Sequence, residues 1–377
     1  TEFMQEQTDL EPESTDLPKP LRRTGGFIIS GLTSGHGVFH WFLQSFLVML
    51  PEVKAAFNLS EVGVGAITTT RELSSGMVTL PGGVVADVVR RHWGIILALC
   101  MGGFGGGWLL IGVFPSYWVL LLGIVVTSVA ASIWHLPAMA ALSHHFEHRR
   151  GTALSFHGIG GNIGDFLAPI VTGMLLGILS WQGILSIYAV VPLLLMFVVY
   201  WAFRDIGHTG NADTPTTTLK GQLHLARQLL KNRPLMGITL VEGLRGMAFL
   251  AVITFLPLYL DEIAHLTQAE RGLYLGLLMV MGIPATPTLG YISDIIGRKM
   301  VLVPALLSLA GMTLLLVGFG TGPFLIIILI LMGLFLYSDQ PILTAAALDI
   351  VGREVATTTM GILAFSRLAL AAASPMI

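Results

Sequence analysis

Eleven stretches of this 377-residue chain run for about twenty residues or more with few charges, the length an α-helix needs to cross the hydrocarbon core of a bilayer. They cover roughly 25–50, 60–86, 93–113, 117–142, 151–178, 182–203, 235–259, 268–291, 300–319, 323–347 and 355–377. Lipid offers the backbone no hydrogen-bond partners, so only helices or closed barrels can satisfy it there. The expectation is an all-α polytopic membrane protein. Charged residues make up 11% of the chain, against about a quarter in a soluble domain. Twenty basic and twenty-two acidic residues leave a net charge of −2, which provides no basic field for nucleic acid. The single cysteine, Cys100, cannot form an internal disulfide. No phosphate-binding loop and no nucleophile–base constellation is present, so an enzyme, a cofactor and a resident metal are not expected.

The basic residues sort by side. If the stretches alternate in direction, fifteen of the twenty fall on one side: Lys19, Arg22, Arg23, Arg90, Arg91, Arg149, Arg150, Arg204, Lys220, Arg227, Lys231, Arg233, Arg298, Lys299 and Arg353. Only Lys54 and Arg271 fall on the other. Positive charge stays on the cytoplasmic side, so a cytoplasmic N-terminus in a bacterial inner membrane is expected. The tail 1–23 is acidic and lacks a basic n-region, so it is not read as a signal peptide; Thr1 is not an initiator, and Met4 is read as the natural start. The polar segment 204–233, with Asn211, Asp213 and Pro215 before an amphipathic run, reads as a cytoplasmic linker between the halves 24–203 and 234–377.

Those halves repeat. Asn58-Leu59-Ser60-Glu61 aligns with His265-Leu266-Thr267-Gln268 at an offset of 207, and the same offset carries Gly83-x-x-x-Asp87 onto Gly290-x-x-x-Asp294 and Arg91-His92 onto Arg298-Lys299. Further on, His135-x-Pro137 meets Asp339-x-Pro341. Two parallel six-helix halves follow. By that offset the partner of the sixth stretch would end near about 410, so a twelfth, truncated span is expected beyond Ile377.

Gly290-x-x-x-Asp294-x-x-Gly297-Arg298-Lys299 resembles the signature loop of the major facilitator superfamily, and Gly83-x-x-x-Asp87-x-x-x-Arg91-His92 is similar to its second copy, with Arg90 in place of the second glycine. The resemblance covers about 24–377. It implies a cytoplasmic gate in which the motif aspartate pairs with the motif arginine. It also implies that spans 1, 4, 7 and 10 line a cavity, that 2, 5, 8 and 11 form the seam between halves, and that 3, 6 and 9 face outward. Trp134-His135-Leu136-Pro137 and His157-Gly158-Ile159-Gly160-Gly161-Asn162-Ile163-Gly164-Asp165 resemble the fosmidomycin-resistance branch of exporters. The superfamily's antiporter pattern in span 5 is kept only through Gly160, Gly164, Ala168-Pro169 and Gly173, and span 4 lacks the arginine of many proton-coupled exporters.

An ionisable group at bilayer depth costs several kcal/mol unless paired or hydrated, so each one is a functional candidate. Eleven fall inside the stretches, clear of their first few residues: His36, His40, Arg71, Glu72, His135, His157, Asp165, Glu242, Arg245, Asp339 and Arg367, with none in spans 3, 6 or 9. Glu242 and Arg245, three apart, share a helix face and could neutralise each other. Arg71 and Glu72 point about 100° apart and serve one another poorly, which leaves Arg71 as an anion ligand. Arg367 lacks an acidic neighbour on its own helix. His36 and His40 share a face, a spacing that suits metal binding or pH gating; His135 reads as a neutral core histidine.

The reading is a secondary transporter of a small organic solute, anionic or zwitterionic, working as a monomer in the bilayer by alternating access with proton coupling. His36, His40, Gln44, Arg71, Asn162, Glu242, Arg245 and Arg367 would bind the substrate, and Asp165, Glu242 and Asp339 would carry the proton. Gly83, Asp87, Arg91, Gly290, Asp294, Gly297, Arg298 and Lys299 would form the gate. A divalent metal-ion transporter and a non-transporting sensor are the alternatives.

Overall fold

The computed structural model describes residues 21–88, 90–208, 227–352 and 355–374, with side chains except at 23, 79–88, 147, 150, 208, 356 and 357. The tail 1–20, most of the linker, Arg353 and the side chains of Gly83 and Asp87 therefore lie outside the described residues. The helices are α1 (Gly25–Val48), α2 (Leu50–Phe57), α3 (Glu61–Val88), α4 (Trp93–Val113), α5 (Tyr117–His145), α6 (Arg150–Leu176) and α7 (Trp181–Phe203). After the linker come α8 (Arg233–Glu262), α9 (Gln268–Val280), α10 (Gly282–Ile296), α11 (Arg298–Phe319), α12 (Leu325–Leu336), α13 (Asp339–Val351) and α14 (Ala356–Ala373).

Helix ends follow local chemistry. Thr24, Ser180 and Asn232 cap α1, α7 and α8 by accepting from backbone amides three residues on, and Thr267 closes a capping box with Glu270 at the start of α9. Two windows read as single spans are broken helices. One breaks between α9 and α10, the other between α12 and α13, and the breaks abut: a Cβ on Gly282 would lie 2.7 Å from that of Tyr337.

Eight helical segments among the described residues are long and apolar enough to cross a membrane: Arg90–Val113, Tyr117–His145, Gly151–Leu176, Trp181–Phe203, Arg233–Glu262, Gln268–Ile296, Arg298–Phe319 and Leu325–Val351. The sequence windows numbered eleven. The other three coincide with α1, diluted by five glycines and two histidines, with α3, which carries Arg71 and Glu72, and with the short α14. Exposed large apolar side chains belt the molecule, as Ile187, Leu194, Phe197 and Trp201 on α7 and as Leu307, Leu314 and Val317 on α11. In water such a belt would drive association; in lipid it is the solvated surface.

Inside, α1 packs on α6, α4 on both α5 and α7, and α3 on α5. Glycine sets these distances. A Cβ on Gly160 would lie 2.1 Å from the Thr33 carbonyl oxygen, and one on Gly164 2.6 Å from that of Gly37, so α1 and α6 meet backbone to backbone. An aromatic stack of Phe39, Phe42, Phe104 and Trp108 fills the space between α1 and α4, with Phe39 and Phe104 ring centres 4.4 Å apart. The N-terminal helices touch the C-terminal ones along two seams. α3 meets α14, where the Thr69 hydroxyl donates to the Ala372 carbonyl at 2.7 Å, and α6 meets α9, where Gly173 faces Gly272.

Candidate functional site

Two groups of ionisable side chains face the interior, one on each side of the seam. In the first, His36 and His40 of α1 meet His135 of α5 and His157 and Asp165 of α6. The His40 Nδ1 and the Gln44 amide each lie 2.8 Å from one oxygen of Asp165. His157 stacks flat on His36 with ring centres 4.1 Å apart, and His135 stands edge-on to His36 at 4.9 Å. Asn162 is exposed on α6, three residues before Asp165.

In the second group, Arg245 of α8 bridges to α13. Its Nε donates to Asp339 at 2.8 Å and a terminal amine donates to the carbonyl of Leu336. That carbonyl belongs to the last turn of α12, so the arginine satisfies a backbone group released by the helix break. The guanidinium also lies over the Phe249 ring, 4.9 Å from its centre. Glu242 is 2% exposed and keeps one carboxyl oxygen without a hydrogen-bond partner among the described residues; Arg245 and Arg367 lie within electrostatic reach of it. Arg367 on α14 is exposed and has no ion-pair partner among the described residues. Tyr337, at the α12–α13 break, lies within electrostatic reach of both Asp165 and Arg245 and joins the two groups.

The geometry corrects two readings of the charges. Arg71 and Glu72 do serve one another: the guanidinium donates to the carboxylate at 3.0 Å, because two long side chains bend across the angle their Cα positions impose. Arg245 pairs with Asp339, ninety-four residues away, rather than with Glu242 on its own helix. In the basic-side loop, Arg298 contacts Asp294, donates to Ser293 at 2.8 Å and reaches Asp349 at the end of α13 at 3.1 Å. Gly297 there has φ +98°, a conformation glycine adopts without strain. Gly290 has open space around it, Arg91 is exposed, and Lys299 is exposed.

Sequence reasoning missed a charged clasp on the opposite face. Arg271 is wholly buried between Glu52 of α2 and Asp261 of α8, the latter at 2.7 Å; Lys54 of α2 reaches both Glu61 and Glu262 at 2.6 Å. Burial opposes the charge on Lys54, yet its two carboxylate partners hold its pKa above the usual lysine value, so the ammonium stays charged. Glu52–Arg271 and Lys54–Glu262 both join N-terminal to C-terminal helices. The signal in the sequence was the pair of lone cations on this face, Lys54 and Arg271, each close in the chain to acids (Glu52 and Glu61, Asp261 and Glu262).

A cavity of about 430 Å³ opens on the other side of α1, lined by Ser34, Gly37, Trp41, Ile163, Tyr188 and Val191 among others. Its walls are apolar and hold none of the ionisable candidates.

Apolar spanning helices, an outward apolar belt and buried ionic groups facing one another across a seam define a polytopic membrane carrier. The chain belongs to the Major Facilitator Superfamily, which it matches over residues 32–375. It is a secondary transporter that moves a small solute by alternating access, a carrier and not a catalyst. It is 23% identical over 300 residues to the fosmidomycin resistance protein of Escherichia coli K12, covering 78% of this chain and 71% of that one. It is 22% identical over 363 residues to the "Probable hexose phosphate transport protein" of Chlamydia trachomatis serovar D, covering 87% and 78%. Its fold is similar to that of a bacterial homolog of the human lysosomal transporter Spinster in an inward-facing, unoccupied conformation, with a TM-score of 0.77 at 16% identity over 95% of this chain and 82% of that one.

Proposed function

We propose that the chain carries a small organic anion or zwitterion with proton coupling, and that Arg367 is its anion anchor. The observation that supports this is selective pairing. Arg71 and Arg245 are neutralised by Glu72 and Asp339, whereas Arg367 is exposed without an ion-pair partner among the described residues. Glu242, within electrostatic reach of Arg367, keeps a buried carboxyl oxygen without a hydrogen bond among the described residues, and Gln44 and Tyr337 keep one such polar atom each; a polar solute would satisfy such groups. Glu242 can take a proton on its free oxygen without losing a hydrogen bond, and Asp165 can exchange one with His40. The distant relative named for hexose phosphate transport favours the same solute class.

The wider proposal has lobes 24–203 and 234–377 joined by the linker 204–233, with eleven crossings in this chain once α1, α3 and α14 are counted. The basic face is cytoplasmic, the Arg298 cluster is its gate, the membrane is a bacterial inner membrane, and the carrier acts as a monomer. The clasp on the other face and the Spinster-like fold support an inward-open state.

The test is uptake into proteoliposomes of organic phosphates and carboxylates, with and without a pH gradient. Glu242→Gln and Asp165→Asn should abolish gradient-driven accumulation, and Arg367→Gln should raise KM by about tenfold or more, the loss of one charged hydrogen bond. Accumulation that ignores the gradient, or an unchanged KM in Arg367→Gln, would overturn the assignment.

A further inference from the structure

The histidines of the first lobe converge in a way that carrying an organic solute does not require. We propose that His36, His40 and His135 form a site for a late first-row divalent cation, of which Zn²⁺, Co²⁺, Ni²⁺ and Cu²⁺ are the candidates. The proposal does not depend on the identity of the solute or on proton coupling.

The first argument is the state of the rings. The Nδ1 of His36 lies 2.7 Å from the His157 carbonyl oxygen, that of His40 2.8 Å from an Asp165 oxygen, and that of His135 2.6 Å from the Ala131 carbonyl oxygen. A carbonyl or carboxylate oxygen can only accept, so each Nδ1 carries the proton. In the neutral form of each ring Nε2 is then the lone-pair nitrogen, the atom that binds a metal. Three histidines held in one tautomer by three separate oxygens are what a histidine-ligated metal site contains before the ion arrives.

Convergence is the second argument. One ring nitrogen from each of the three lies within 4.8 Å of those of the other two. Four-coordinate zinc with imidazole at about 2.0–2.1 Å separates its ligand nitrogens by about 3.3 Å, so the rings need to move inward by about 1 Å. The rings pack edge to face, His36 meeting His40 at an interplanar angle of 80° and His135 at 87°.

The second shell is present too. Asp165 holds His40, and the Gln44 amide donates to the same Asp165 oxygen, a carboxylate–histidine arrangement that fixes the ring and raises its basicity. Helix register supplies the rest. His36 and His40 stand four apart on α1, and α6 approaches α1 closely enough at Gly160 and Gly161 to bring Asp165 to His40; a Cβ on Gly161 would lie 2.8 Å from the His36 ring. The donor set is neutral imidazole, which selects zinc and its neighbours and rejects magnesium and calcium. A fourth position remains for water or an anion, since His40 is partly exposed. All three ligands belong to the N-terminal helices, so a bound ion does not cross the seam.

The experiment uses full-length protein purified without a histidine tag. Co²⁺ is titrated while the visible d–d bands of tetrahedral cobalt are recorded, and Zn²⁺ is then added in competition. One Co²⁺ per chain should bind and be displaced by Zn²⁺. His36→Gln, His40→Gln and His135→Gln should each abolish the bands, and Asp165→Asn should weaken binding about 10- to 100-fold. A variant with His144, His145 and His148 all replaced by Gln should bind as the parent does. X-ray absorption at the cobalt edge of the unmutated protein should count three imidazole ligands, which keeps the proposal testable if a variant fails to fold. Absence of stoichiometric Co²⁺, bands that persist in His135→Gln, bands lost from the surface triple variant, or fewer than three imidazoles would each overturn it.

Discussion

Opening the clasped face requires Glu52 to leave Arg271 and Lys54 to leave Glu262, and the structure sets the relative strength of the two contacts. Arg271 has no exposed surface and Glu52 is 22% exposed, so theirs is a largely dry, charge-assisted hydrogen bond of about 1.5–3 kcal/mol. Lys54 and Glu262 are 17% and 43% exposed, and pairs of that kind contribute about 0.2–1 kcal/mol. Glu52→Ala removes only the cross-lobe bond, because Arg271 keeps Asp261 at 2.7 Å. With about 1.4 kcal/mol per factor of ten, the ratio of closed to open forms of that face should fall roughly 12- to 150-fold in Glu52→Ala and at most about fivefold in Lys54→Ala. The assay is double electron–electron resonance between spin labels on Ala56→Cys and Ala269→Cys, both exposed, in a Cys100→Ala background that removes the single native thiol. Weight should move to longer distances in Glu52→Ala. Equal shifts in the two variants, or none in either, would refute the reasoning.

Three further outcomes are expected. Arg245→Leu strands Asp339, which is 1% exposed, and should lower unfolding stability by about 3–5 kcal/mol, whereas the double variant Arg245→Met/Asp339→Leu should recover most of that loss in a thermal melt. Gly160→Ala drives a methyl into the Thr33 carbonyl and should destabilise by about 1–3 kcal/mol, while Gly158→Ala, with open space around it, should be neutral or stabilising by up to about 1 kcal/mol. Thr267→Ala removes one side of the α9 capping box and should cost about 1 kcal/mol, read as a lower melting temperature.

Patterns carried by many residues were legible in the sequence, and single pairings were not. Window length located the apolar helices, eight of which among the described residues are long and apolar enough to span, and the family resemblance already implied the outward faces of α7 and α11. The partner of Arg245 lies on another helix, and nothing local distinguishes Asp339 from Glu242 as its acceptor. Arg71 and Glu72 misled because backbone angle was used for side chains long enough to ignore it. The helix breaks near Met281 and Tyr337 do have a local signal, since Pro284 and Pro341 cannot donate to the carbonyls of Val280 and Tyr337 four residues back and their rings crowd them, but that the two breaks abut is tertiary. The gathering of His135 onto His36 and His40 is likewise tertiary, set by how closely α1, α5 and α6 approach.

The contact of Gly173 with Gly272 has a consequence for speed. A Cβ on either residue would lie 2.2–2.4 Å from a backbone oxygen of the facing helix, so at this point two bare main chains meet with no side chain between them. A joint lined with leucine or lysine must freeze rotamers each time it closes, about 0.5–2 kcal/mol for each such side chain. Glycine has none to freeze. At this point the α6–α9 joint can part and re-form with no side chain to re-sort, and any residue larger than glycine would wedge it.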